Sequence, residues 1–150
     1  MSLTTSVQLI TETLYPDATF LLSSKFHANR EAISISTSGL PLVILDNELT
    51  KNAEIKKNYN VQKETRILIS FLTQDTPNNT DLQTDAIREA MESMADRVAV
   101  NIWQLAEVMP IGNQKYKLVP LFHVGPSNLS GVALDMLVNY NETVNICLIP

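Results

Sequence analysis

The sequence predicts an α+β domain in which a mainly antiparallel sheet packs against one long helix, with a short helix at the N-terminus. Three observations carry that prediction. Ile87, Met91, Met94, Val98, Ile102, Leu105 and Met109 recur every three or four positions, the spacing of one helical face. Two dense apolar runs, Pro41-Leu42-Val43-Ile44-Leu45 and Arg66-Ile67-Leu68-Ile69-Ser70-Phe71-Leu72-Thr73, are too short for helices and have the composition of central strands. Late in the chain Val132, Leu134, Met136, Val138 and Tyr140 alternate with Ala133, Asp135, Leu137 and Asn139, the pattern of a half-buried antiparallel strand. The order is a helix, several strands, a long helix, then two or three strands, which is that of an α+β domain.

The elements follow in order. Leu3, Val7, Ile10 and Leu14 share one stripe of a short amphipathic helix, and Pro16-Asp17 ends it. Over 19–35 no helical period fits; Phe20-Leu21-Leu22, Lys25-Phe26-His27 and the alternation Ala32-Ile33-Ser34-Ile35 predict short strands joined by polar turns. The strand at 66–73 is apolar on both sides, so both of its faces should be covered. Thr80-Asp81-Leu82-Gln83 has capping-box spacing and opens the long helix, expected over about 81–108 and stopped by Pro110. Its outer face carries Asp85, Arg88, Glu89, Glu92, Asp96 and Arg97, read as a solvated face, while Met91, Met94 and Met109 continue the apolar stripe as core. A strand over 116–124 is expected to be interrupted or kinked at Pro120, followed by a turn at Gly125-Pro126-Ser127-Asn128.

Composition bounds the function. A chain of 150 residues can bury about two-thirds of its unfolded surface, so residues 1–150 are read as a single domain that folds without staples. Eleven basic against sixteen acidic side chains give a net charge of −5, opposite to the footprint of a protein that wraps phosphates. Cys147 is the sole cysteine, so no disulfide or cysteine-based zinc site forms within one chain. The N-terminus has no secretory pattern and no stretch approaches the ~20 apolar residues of a membrane span, which predicts a cytoplasmic protein without a membrane partner.

Catalytic vocabulary is thin. His27 and His123 sit in no metal or nucleophile spacing, and Asp46 with Glu48 at a strand end could pair as carboxylates but also reads as a turn signal. With four glycines and no glycine-rich loop between a strand and a helix, a phosphate cradle is not expected; no cofactor and no metal is predicted. Trp103 lies beside the centre of the helical stripe, where it covers the core margin or faces another molecule. The segment 47–64 is unusual, because Leu49, Ile55, Tyr59 and Val61 are dispersed among Lys51, Lys56, Lys57, Asn58 and Asn60. Loops that long in a small domain usually have a job. Two readings stand equal: an assembly arm that orders against a neighbour, and a hairpin folded onto its own domain.

Leu40-Pro41-Leu42-Val43-Ile44-Leu45-Asp46, Thr65-Arg66-Ile67-Leu68-Ile69-Ser70-Phe71-Leu72, the long helix, Asn128-Leu129-Ser130-Gly131-Val132-Ala133-Leu134 and Asn145-Ile146-Cys147, in that order, resemble small virion proteins of tailed bacteriophages. The chain looks most like the tail terminator or tail completion group over about 40–147. That resemblance implies a structural protein, not an enzyme, made in the host bacterial cytoplasm and ending in the virion tail or neck. It implies a homo-oligomeric ring, usually of six copies, that caps the tail tube and joins it to the capsid neck. DNA would pass through such a ring without sequence-specific contact. On this reading Leu49, Ile55, Lys56, Lys57, Tyr59, Val61 and Trp103 are the candidate assembly residues, and no catalytic, cofactor or metal residue comes with it. Neck, head-completion or minor tail proteins share the pattern. From other classes, a small hydrolase would need His27, His123, Asp46 or Cys147 to converge, and a monomeric adaptor would keep 47–64 folded back.

Overall fold

A computed structural model describes residues 3–23, 41–46, 51–57, 60–76, 78–105, 108, 114–124 and 128–143. In chain order the elements are helix α1 (Leu3–Leu14), strands β1 (Thr19–Ser23), β2 (Leu42–Asp46), β3 (Lys51–Ile55) and β4 (Asn60–Gln74), helix α2 (Asp81–Trp103), and strands β5 (Tyr116–Val124) and β6 (Leu129–Thr143). The fold is α+β, with six strands in one mixed sheet ordered β1-β2-β4-β6-β5 and β3 paired to β4. Every strand pair is antiparallel except β1 with β2, which departs from the expected pattern. Residues 24–41 join those two strands, enough chain for the crossover of a dozen or more residues that parallel pairing needs.

The helices cover one face of the sheet. Val7 of α1 and Met91, Met94, Ala95, Val98, Ala99 and Ile102 of α2 close over Val43, Leu45, Ile67, Ile69 and Phe71, together with the even-numbered residues 132–140 of β6. Each fully buried Phe, Leu or Ile of this set contributes about 1.5–3 kcal/mol. On the opposite face Leu42, Ile44, Leu72 and Leu129 form a second, smaller cluster with Leu121 against it. The expectation that β4 is covered on both faces therefore holds where it pairs with β2. Gly131 lies on β6 where no side chain fits, because a Cβ there would lie 1.8 Å from the Phe71 carbonyl oxygen and 3.1 Å from Met91 Cγ.

α1 ends where Pro16 was expected to end it, and buried Thr11 donates from Oγ1 to the Val7 carbonyl at 2.9 Å. α2 opens on the predicted capping box: Thr80 Oγ1 accepts from the Gln83 N–H at 3.2 Å, and Gln83 Oε1 accepts from the Thr80 N–H at 2.8 Å. It stops at Trp103, short of the expected Val108. The apolar spacing does continue, and Leu105 packs against the core. Val108, however, leaves the helix to form a bridge with Tyr140 of β6, and a residue committed to the sheet cannot also extend the helix. Pro120 does not kink β5 as expected. It pairs in register with Val132, and the irregularity falls between Leu121 and Val124, where His123 takes a left-handed φ of 49°. β5 ends the strand order, and an edge strand tolerates a residue without an N–H.

The predicted strands over 25–35, the turn residues Gly125, Pro126 and Ser127, and Met109 lie outside the described residues.

Candidate functional site

Within the segment 47–64, β3 and the start of β4 pair as a β-hairpin. Lys51 pairs with Thr65 and Ile55 with Val61, and the Lys56 N–H donates to the Asn60 carbonyl at 2.9 Å to close the turn. The hairpin belongs to a larger arm. β4 and β6 pair from Gln74 and Leu129 to Asn60 and Thr143, but β2 reaches only as far as Leu68 and β5 only as far as Met136. Beyond those points the edge that β2 occupies is taken over by β3. Three strands thus run on past the flanking ones.

Burial falls along this arm. Thr65, Val138 and Tyr140 at its base are buried, whereas all of β3 is exposed and Ile55 is 77% exposed. Among the expected assembly residues, Ile55, Lys56 and Lys57 are exposed and Val61 is half-buried, all on the hairpin. Trp103 is elsewhere, at the end of α2 and half-buried against the core. Leu49 and Tyr59 lie outside the described residues. The arm is polar: Glu54 pairs with Lys56 at 3.3 Å, and the Lys51 ammonium lies 5.9 Å from the centroid of the Tyr140 ring. Between the arm and the core, Arg66 binds Asp135 through both guanidinium and carboxylate arms. The hydrogen bond from Arg66 draws the Asp135 carboxyl below its ordinary range; burial opposes this, and the charges of Arg66 and Lys117 add to it.

At the other end of the β4–β6 ladder lies a buried polar cluster that sequence reasoning missed. Asp75 is 0% exposed. Its Oδ2 accepts from Ser130 Oγ at 2.7 Å, and its Oδ1 accepts from Asn79 Nδ2 at 2.7 Å and Thr84 Oγ1 at 3.2 Å. The His123 N–H donates to Ser130 Oγ at 3.0 Å, and the Asp75 N–H donates to the Asn128 carbonyl at 3.0 Å. Burial pushes the Asp75 carboxyl up, yet the hydrogen bonds from Ser130, Asn79 and Thr84, with the His123 charge, outweigh it and hold the group below its ordinary value. In the sequence Asp75 stands among turn formers, Thr76, Pro77, Asn78 and Asn79, which announce a loop but not a buried carboxylate.

Asp75, Ser130 and His123 together invite a nucleophile reading, which the geometry does not favour. The Ser130 hydroxyl is buried and donates its hydrogen bond to Asp75, while His123 Nε2 stands 3.9 Å from Asp75 Oδ2, beyond hydrogen-bond reach. The cluster instead ties the end of β4 to the first turns of α2 and the start of β6. Beside it an open hollow of about 470 Å³ is lined by Asn79, Asp81, Thr84, Asp85, Phe122 and His123.

Of the residues proposed for a hydrolase, Asp46 and His123 stand far apart. Asp46 is opposite Leu68 on β4, whereas His123 binds Ser130, which is opposite Thr73. Five residues of strand separate those positions, roughly 17 Å at about 3.4 Å per residue. His27, Glu48 and Cys147 lie outside the described residues. Among the described residues no three His, Cys, Asp or Glu side chains gather as a metal site, and no helix is long and apolar enough to cross a membrane.

On α2, Arg88 pairs with Asp85 at 2.7 Å and with Glu92 at 3.1 Å, as expected of a solvated face. Asp96 does more. It accepts from the Tyr116 hydroxyl at 2.7 Å and joins α2 to β5. That bond first, then burial and the charges of Asp96 and Glu92, push the Tyr116 phenol up to about 12.

No protein-family model and no curated protein matches this chain.

Proposed function

We propose that this chain is a structural protein of a tailed-bacteriophage virion, a tail terminator whose copies join into a ring that caps the tail tube and links it to the capsid neck. The observation that carries the reading is the arm: three strands run past their neighbours and end in a hairpin whose β3 is wholly exposed. A protein that works alone gains little from extending a sheet into water. A ring subunit needs a projecting element that reaches the next copy, since head-to-tail contacts close a ring when their rotation divides a full turn. The order of apolar strands and the long helix, similar to that of tail terminators, supports the same reading. The buried polar cluster fits it too, because a stiff fold presents an arm at a fixed angle.

Native mass spectrometry tests the proposal. Six copies of a 16.7 kDa chain give a species of about 100 kDa. That species, seen as a ring in negative stain, supports the reading, and a mass that stays at one chain at high concentration supports a monomeric adaptor instead. Imaging the ring on a native particle separates the end of the tail tube from the neck.

A further inference from the structure

β5 does not end as a regular strand. Its register with β6 breaks between Leu121 and Val124, and within that break His123 takes a left-handed φ of 49°. That region is costly for a residue with a side chain, although histidine enters it more readily than most. Strained backbone of this kind persists where its surroundings hold it, and here the His123 N–H donates to Ser130 Oγ at 3.0 Å. The bend carries the imidazole to the rim of the buried cluster. His123 Nε2 stands 3.9 Å from Asp75 Oδ2, about 1 Å more than a hydrogen bond needs. Asp75 is wholly buried whereas the His123 side chain is 46% exposed, so a proton from solvent reaches the ring without unfolding. Oδ1 of Asp75 accepts from Asn79 and Thr84, and Oδ2 accepts from Ser130 and keeps a second lone pair. All three donors are neutral, so the carboxylate they hold has a lone pair to offer a cation. The groups facing the ring from α2 are Asp81 and Asp85, which line the same hollow. Arg88 is one turn further on, paired with Asp85 and Glu92. The positive end of α2 opposes a cation, and Asp81 in its first turn offsets that. From the β6 side come Ser130 and Asn128, both uncharged.

We propose that His123 is a pH-dependent latch: when its ring takes up a proton from water, Nε2–H closes onto Asp75 Oδ2 and fixes the end of β5 to α2 and to the start of β6. A neutral imidazole offers Nε2–H in one of its two tautomers and without charge, whereas the imidazolium donates from both nitrogens. Charge-assisted hydrogen bonds are shorter than neutral ones and roughly twice as strong, which is what closing the remaining gap requires. The contact is therefore gained as the ring charges and lost as pH rises. Asp75 stays ionised throughout, because its hydrogen bonds hold the carboxyl below its ordinary value.

Amide hydrogen exchange on the full chain tests this, with the His123 N–H as reporter because it donates to Ser130 beside the contact. Exchange is compared at about pH 7.5 and about pH 5.5, an interval over which an ordinary imidazole charges while carboxylates keep their charge. The reference is the Leu134 amide at the centre of the sheet, and both are corrected for the intrinsic pH dependence of exchange. Relative to that reference, protection of the His123 amide should rise about fivefold at the lower pH. His123→Asn accepts a left-handed φ and cannot charge, so its residue-123 amide should show no rise; His27, the other histidine, is the same in both proteins. Asp75→Asn removes the charge the ring approaches and should abolish the rise as well. No rise in the unmodified chain overturns the proposal whatever the variants do. An equal rise in His123→Asn overturns it too, and a rise that survives in Asp75→Asn overturns the assignment to Asp75 and moves the contact to Asp81 or Asp85.

Discussion

At the Gln74 end of the β4–β6 ladder the two strands meet over a buried carboxylate whose partners come from α2 and β6. At the Asn60 end the same two strands, still paired, run out of cover and carry a hairpin exposed to water. One continuous ladder of fifteen residue pairs therefore has a stability end and a surface end. Buried groups such as Asp75, Ser130 and Gly131 are fixed by what surrounds them, and a change there is felt through the whole core. Lys51, Glu54 and Ile55 are exposed on β3 and lie outside the core, so changes there should be felt little by the fold. The difference teaches that mutation should separate folding from association along a single pair of strands.

The largest effect should fall at Gly131, where β6 lies against β4 with no room for a side chain. Gly131→Ala puts a methyl group 1.8 Å from the Phe71 carbonyl, so the ladder must shift. We expect about 3 kcal/mol of destabilisation, read from the urea midpoint. A change under about 0.5 kcal/mol would show that β6 can move away freely.

Asp75→Ala should come next, at about 2–3 kcal/mol, because it leaves the buried Ser130 hydroxyl and the half-buried Asn79 amide without their acceptor. Its pH dependence has a definite sign. The folded carboxyl lies below the unfolded value of about 3.9, so its contribution is complete above that pH and is lost as pH falls through the depressed folded value. Asp135, lowered by Arg66, acts in the same direction. Acid unfolding should therefore be shallower in Asp75→Asn than in the unmodified chain, and identical acid limbs would contradict the assignment. Thr80→Ala should cost about 1 kcal/mol through loss of the capping box. At the surface end Ile55→Ser should shift stability by less than about 0.5 kcal/mol although it removes a large apolar group. A larger loss would place Ile55 in the fold's own packing.

The readings that came true rest on repetition over many residues. The stripe from Ile87 to Ile102 and the alternation from Val132 to Tyr140 each sample one face several times, and Thr80 with Gln83 is a local device that tertiary context did not override. The misses were decided by single long-range events. Val108 is captured by Tyr140 and ends the expected helix early, and Pro120 is tolerated because β5 happens to be an edge. Parallel pairing of β1 with β2 is a contact between segments distant in sequence, which no local pattern marks. The candidate site divides the same way. Its hairpin was one of two readings of 47–64, and the mixture of Ile55 and Val61 with lysines was the visible signal. Asp75 gave no sign, because burial of one polar residue among turn formers depends on partners as far off in sequence as Ser130.

Native mass spectrometry of the full chain beside a deletion of residues 51–60 tests the division between the two ends most directly. The account predicts a cooperative thermal melt for both proteins, a ring-sized species for the full chain, and a single chain for the deletion. Equal assembly with and without the hairpin, or loss of the cooperative melt when it is removed, would contradict it.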